Sequence, residues 1–161
     1  GRIPTQYIPA CEKGFKTSMA KGPKMEFPVT GLRVVINDGA SHSVDSSEMA
    51  FTAAAKGAFK EAYLRARPAI MEPVMKVVVE TPAEFQGAAI GMLSQRRGVI
   101  AGSQDEGTAC VIEADVPLSD MFGFSTVLRS ATQGKAQFTM EFNAYKKVPV
   151  AVAEKLAKKS K

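Results

Sequence analysis

MKVVVETPAEFQGAAIGMLSQRRGVIAG (Met75–Gly102) decides the fold, because its hydrophobic period changes twice within one short stretch. Met75 to Glu80 is an apolar run of strand length. Thr81-Pro82-Ala83-Glu84 then reads as a helix start, with Thr at the N-cap, Pro at the first helical position and Glu at the third. Phe85, Ala88, Ala89, Met92 and Leu93 share one helical stripe. Arg96-Arg97-Gly98 closes the helix, with cations at its negative end and a glycine beyond it. Val99–Ala101 begins a new strand.

Working outward, the same order repeats downstream. Thr108–Val116 is a strand that faces Val99–Ala101 across a turn at Ser103–Gly107. After Pro117, Leu118 to Gln133 reads as one helix with Gly134 as its C-terminal glycine. In the last strand Ala136, Phe138, Met140 and Phe142 alternate with Gln137, Thr139 and Glu141. Two βαβ halves in succession from Pro73 to Phe142 are the signature of an α+β, ferredoxin-like split βαβ domain.

Upstream the pattern is different. A helix is expected over Ile8–Ala20, before the Gly22–Pro23 breaker. Leu32, Val34 and Ile36 alternate as in a half-buried strand that Asp38-Gly39 ends. Ala40 to Ser46 is polar or small and holds the only histidine, His42. A long helix follows from Ser46 to Ala66, with Asp45 and Glu48 at capping-box spacing. Its alanine-rich face, with Phe51, Ala55, Ala58, Phe59 and Ala62, suits close packing on a sheet. Pro149 opens a short helix over Val150–Ala157. One strand with two helices makes no sheet, so either the C-terminal helix completes this first domain or strands precede Gly1.

The 161 residues are 45% apolar and 23% charged, a globular composition and not a disordered one. No apolar run approaches the roughly 18 residues of a membrane span, and the first residues lack a signal-peptide pattern. Cys11 and Cys110 are too far apart for a zinc knuckle and too few for a disulfide framework, which favours a reducing compartment. The net charge of +5 is unevenly spread: +4 over residues 1–70, −4 over 71–145, and +5 over 146–161. Two modules with different electrostatic surroundings are one explanation, and ordinary solvated charge with a lysine tail is the other.

Catalytic chemistry is hard to find. GFKTS (Gly14–Ser18) resembles the end of a phosphate loop but lacks the upstream glycine and lies in a helical stretch. A lone histidine leaves no triad, neither cysteine sits in a recognisable motif, and no cluster has metal-ligand spacing. His42 stands apart because it is flanked by Ser41 and Ser43 in a loop between a strand and a long helix. There it can bond a phosphate or 2′-hydroxyl or stack on a base, or it can simply be polar surface.

The runs VDSSEMAF (Val44–Phe51, after His42), EPVMKVVVETP (Glu72–Pro82), RRGVIAG (Arg96–Gly102) and VPLSDMFGFSTVLRSATQGKAQFTMEF (Val116–Phe142) resemble the carboxy-terminal part of the elongation factor G family. The likeness extends over nearly the whole chain. Its Ala-Ser-His-Ser loop departs from the Ser-Tyr-His-Asp found in many bacterial members, and looks closer to the mitochondrial and related bacterial branch.

The resemblance implies that residues 70–145 form the ferredoxin-like domain V. Residues 1–69 and 146–161 would then form a partial domain IV, a truncated α/β domain of the ribosomal protein S5 domain 2-like type completed by the C-terminal helix. It implies a ribosome-binding arm that promotes tRNA–mRNA translocation. His42, with Gly39, Ala40, Ser41 and Ser43, would enter the decoding centre, and Arg129, Ser130 and Gln133 would contact the sarcin–ricin loop of ribosomal RNA. Arg129 has a plainer alternative as a cation complementing its own helix end.

On the same implication the chain is no enzyme and carries no cofactor or metal, with GTP and Mg²⁺ belonging to a GTPase domain upstream. It would work as a monomer, away from membranes, in the bacterial cytoplasm or alternatively the mitochondrial matrix. The arm of the ribosome-recycling paralogue and a free-standing ferredoxin-like binding module are the competing expectations.

Overall fold

The computed structural model describes residues 2–23 and 25–159, and its described residues form two compact units. One runs to Pro68 and takes in the chain again from Ala153; the other is Ala69–Val152.

The second unit is a four-stranded antiparallel sheet with helices on one face. Its elements are β1 (Met71–Pro82), α3 (Gln86–Gln95), β2 (Val99–Glu106), β3 (Ala109–Pro117), α4 (Phe124–Ala131) and β4 (Gln137–Lys147). The sheet order is β2-β3-β1-β4, the split βαβ arrangement expected from the sequence. Val77 and Val79 of β1 and Cys110, Ile112, Ala114 and Val116 of β3 point to the helix side. They meet Ala89 and Leu93 of α3 and Met121, Phe124 and Leu128 at α4. The other face is polar: Lys76 pairs with Glu113 at 3.4 Å, and Lys146 and Asn143 both reach Asp115. Period two thus separates the helix-covered face from a more polar one, on which Val74 near the start of β1 is still buried.

Several local expectations are corrected. Thr81 is no helix cap: β1 continues through Pro82, Thr81 is buried opposite Cys110, and a 3-10 turn (Ala83–Phe85) leads into α3. The turn between β2 and β3 is only Gly107-Thr108, so Ser103–Glu106 are strand. The expected helix Leu118–Gln133 is two pieces, a 3-10 turn (Leu118–Asp120) and α4. Gly123 between them has φ +76°, a left-handed setting that no continuous helix contains.

Helix α3 ends in a Schellman motif: Gly98 N–H donates to Leu93 O at 2.9 Å, and Arg97 N–H to Ser94 O at 3.2 Å. The left-handed residue is Arg97 (φ +59°), not the expected glycine. Gly98 is needed for space instead, since a Cβ there would stand 2.5 Å from Leu93 O. Arg97 holds its position through its side chain, which forks onto Glu72 at 2.8 and 3.0 Å and bonds Asp120 at 2.6 Å. Glu72, before Asp120, raises the guanidinium pKa above its ordinary value. That contribution to stability is fully present below arginine's usual titration range and is lost only as pH climbs into strong alkali.

In the first unit α1 (Ile8–Ala20) packs on α2 (Glu48–Arg65), with Ala10, Cys11, Phe51 and Ala55 at the contact. Tyr7 stacks on Phe51 with ring centroids 4.6 Å apart. The alanine face of α2 therefore meets a helix, not a sheet; Ala58 and Ala62 are exposed. Ser47, not Asp45, caps α2 by accepting from Ala50 N–H.

No strand forms over Leu32–Asn37. The alternation survives in an extended segment, with Val34 and Ile36 lining an open groove beside Ile3 and Ile8 and with Val35 turned further out. A strand needs a hydrogen-bonded neighbour, and among the described residues this unit supplies none. A last helix, α5 (Val150–Lys159), ends the described chain.

Gly14, in the phosphate-loop-like GFKTS, lies inside α1 where the two helices touch. A Cβ there would stand 2.6 Å from Thr52 O and 2.8 Å from Ala55 Cβ. Gly14→Ala is expected to destabilise the unit by about 1–3 kcal/mol, because backbone must move. Gly57→Ala in α2, with open space around it, should stabilise by roughly 0.5–1 kcal/mol. Thermal melts of the two variants check the opposite signs, and a stabilising Gly14→Ala contradicts the packing.

Candidate nucleic-acid interface

The first candidate surface is the loop before α2. Asp38 Oδ1 accepts from Gly39 N–H at 2.8 Å, and Asp38 also pairs with Arg2. Gly39 is half-buried against Ile3, whose side-chain carbons would lie 2.5–2.6 Å from a Cβ at this position. Beyond it Ala40, Ser41, His42 and Ser43 are all exposed.

The loop is closed on itself around the histidine. His42 N–H donates to Ser46 Oγ at 2.8 Å, and Ser46 N–H returns to His42 O at 3.2 Å. The imidazole Nδ1 lies 3.3 Å from Val44 N and 3.2 Å from Asp45 Oδ2. A neutral ring accepts from Val44 at Nδ1; a protonated ring donates from the same atom to Asp45. In either state Nδ1 is engaged within the loop while the side chain is 66% exposed, and among the described residues Nε2 has no hydrogen-bond partner.

The second candidate surface is the end of α4. One helix face is anchored by Phe124 and Leu128, both buried. The opposite face and the cap expose Arg129, Ser130 and Gln133. Among the described residues no carboxylate lies within ion-pair distance of Arg129, whereas its neighbour Lys135 is held by Glu84 at 3.0 Å over the Phe85 ring. An unpaired guanidinium beside a hydroxyl and an amide suits a phosphate or a nucleic-acid edge.

All eight residues singled out from the sequence are exposed or, for Gly39, half-buried. They form two groups, one in each unit. Asp45, Ser46 and Thr132 shape these groups; of the three the sequence pointed only to Asp45, and to a different role, as a helix cap. All three could have been found as side chains able to bond groups two to four residues away. Cys11 and Cys110 are both buried thiols. Among the described residues no group of three or more His, Cys, Asp or Glu could hold a metal ion, and no helix is long and apolar enough to cross a membrane.

Residues 1–67 match the family model for elongation factor G, domain IV, and residues 69–156 match that for the elongation factor G C-terminus. The chain belongs to the elongation factor G family. Elongation factor G 1 of Syntrophus aciditrophicus is 74% identical over 156 residues, covering 97% of this chain and 22% of that protein. Elongation factor G 1 of Borreliella afzelii is 58% identical over 159 residues, covering 99% and 23%. A crystal structure of a Thermus thermophilus protein is similar at a TM-score of 0.87 with 36% identity, over 99% of this chain and 24% of that one. The chain thus spans about a quarter of the length of the elongation factor G relatives it matches, in a stretch that carries domain IV and the C-terminal domain of the family.

Proposed function

We propose that this chain is the ribosome-binding carboxy-terminal arm of a translocating elongation factor G. On this reading residues 1–69 and 146–161 belong to domain IV, and residues 70–145 are domain V. The Gly39–Ser43 loop enters the decoding centre, where His42 works beside the paired tRNA and mRNA. Arg129, Ser130 and Gln133 grip the sarcin–ricin loop. The arm does no chemistry itself. GTP, Mg²⁺ and the hydrolytic step belong to the intact factor, a cytoplasmic monomer, and they reorient the arm. The +4 and +5 charges of the two terminal stretches suit a position amid RNA phosphate, while the −4 middle stretch needs only the local contact at α4.

The observation that carries this reading is the exposure of His42 on a loop that hydrogen-bonds to itself, so that an imidazole edge is presented without a flexible tether. His42→Ala in the intact factor should slow translocation about tenfold, the size of one hydrogen bond, and leave ribosome-stimulated GTP hydrolysis within about twofold. Rapid-kinetic translocation and phosphate-release assays on the same preparation make the comparison. An unchanged translocation rate removes His42 from the decoding centre. Wild-type activity only in ribosome recycling identifies the paralogue.

A further inference from the structure

In the second unit both major helices are closed by a glycine N–H that bonds five residues back, although after α4 the closing Gly134 is itself left-handed at φ +74°. Gly98 N–H closes onto Leu93 O after α3, and Gly134 N–H closes onto Arg129 O at 2.8 Å after α4. In each case the left-handed residue just before is not glycine: Arg97 at φ +59° and Gln133 at φ +55°. That setting disfavours any residue with a Cβ. At Arg97 the reason lies inside the protein, in the Glu72 and Asp120 contacts. At Gln133 no internal reason exists among the described residues, since its side chain is exposed and makes no hydrogen bond there.

What holds Gln133 in place is its predecessor. Thr132 is fully buried, at 0% exposure. Its hydroxyl donates to Leu128 O at 2.7 Å and accepts from Ala136 N–H at 3.3 Å. Its own N–H donates to Leu128 O at 3.0 Å and its carbonyl accepts from Lys135 N–H at 2.9 Å. Thr132 thus bonds back to Leu128 within α4 and forward to Lys135 and Ala136 before β4, on both sides of the Gln133–Gly134 pair. Lys135 is in turn fastened to Glu84 and lies over Phe85. The carbonyl of Arg129 closes the same turn, so the backbone carrying Arg129 and that carrying Gln133 are locked in one arrangement.

We infer that Thr132 is a positioning residue for the Arg129–Ser130–Gln133 surface, its buried hydroxyl holding Gln133 in a strained backbone setting that turns the amide outward toward RNA. The inference rests on the proposed contact of these residues with ribosomal RNA. It adds a residue that no partner can touch, and a reason for glutamine where the backbone favours glycine.

The test measures binding of the intact factor to large ribosomal subunits together with melting temperature. Thr132→Val, which keeps the volume and removes the hydroxyl, should weaken binding about five- to tenfold, and Thr132→Ser should restore it to within about twofold. In an Arg129→Ala/Gln133→Ala background Thr132→Val should cause no further loss, an outcome that general destabilisation does not produce. Gln133→Gly should raise the melting temperature by about 3 °C while weakening binding.

Thr132→Val that binds like the parent, or loses the same factor in both backgrounds, overturns the inference, as does Gln133→Gly with no gain in melting temperature. If Thr132→Val does not fold, the paired signs at Gln133→Gly decide. If Arg129→Ala alone leaves binding intact, it is the RNA-contact reading that fails, and the inference with it.

Discussion

Replacing Arg129, Ser130 and Gln133 together by alanine should weaken binding of the intact factor to ribosomes by about 10³-fold, within about 400- to 5,000-fold. One charge-assisted hydrogen bond at about 1.5–3 kcal/mol and two neutral ones at about 1 kcal/mol each set that range. The loss should be largest at low salt. The slope of log affinity against log salt should fall by about one, because a single phosphate contact is removed with Arg129. The fold should survive. All three side chains are exposed, none makes a hydrogen bond or ion pair among the described residues, and the backbone bonds of the turn remain. Equilibrium binding over a salt series, with circular dichroism as the folding control, measures this. Unchanged affinity in the folded triple variant leaves Arg129 as a cation that merely complements its helix end.

The second large effect lies in the frame that carries this surface. Arg97→Met should destabilise the second unit by about 2–4 kcal/mol, because Glu72 is left without its partner where its side chain is only 14% exposed. The Arg97 fork also spans β1, the end of α3 and the 3-10 turn before α4, through Glu72, Asp120 and Ser119. Arg96 fastens the same turn by donating to Asp120 O at 2.6 Å while it lies over the Phe124 ring.

The expected fall in melting temperature is about 10–20 °C for a unit of this size. Arg97→Lys should recover little of it, since an ammonium cannot fork onto Glu72 and reach Asp120 at once. Thermal denaturation of the chain tests both, and a melting point within a degree or two of the parent refutes the clamp.

How much of this was legible in advance differs by element. The four strands and two helices of the second unit follow from changes of hydrophobic period, because a dry sheet face and a helix stripe each leave a repeat in the chain. The helix ends do not. Thr81 looks like a cap by its neighbours but is claimed by the β1–β3 ladder, and Gly123 breaks an otherwise continuous apolar pattern by its backbone alone.

Arg96-Arg97 reads as cations at a helix end; their partners Glu72 and Asp120 lie more than twenty residues away and leave no local trace. Leu32–Asn37 shows the reverse failure. Its alternation is strand-like, yet pairing depends on a neighbour that alternation cannot supply. His42 was legible as a loop residue, but its closure onto Val44 N–H, Asp45 and Ser46 was not, because three polar residues in a row offer several equivalent partners.

Cleavage of ribosomal RNA from iron chelates tethered at single introduced cysteines tests the central claim most directly, with Cys11 and Cys110 left in place as buried thiols. Ser41→Cys and Ser130→Cys in the intact factor, bound to ribosomes, would each carry the probe. Position 41 should cut the small-subunit decoding centre, and position 130 should cut around the sarcin–ricin loop. Cleavage of neither RNA, or of the same RNA from both positions, would contradict it.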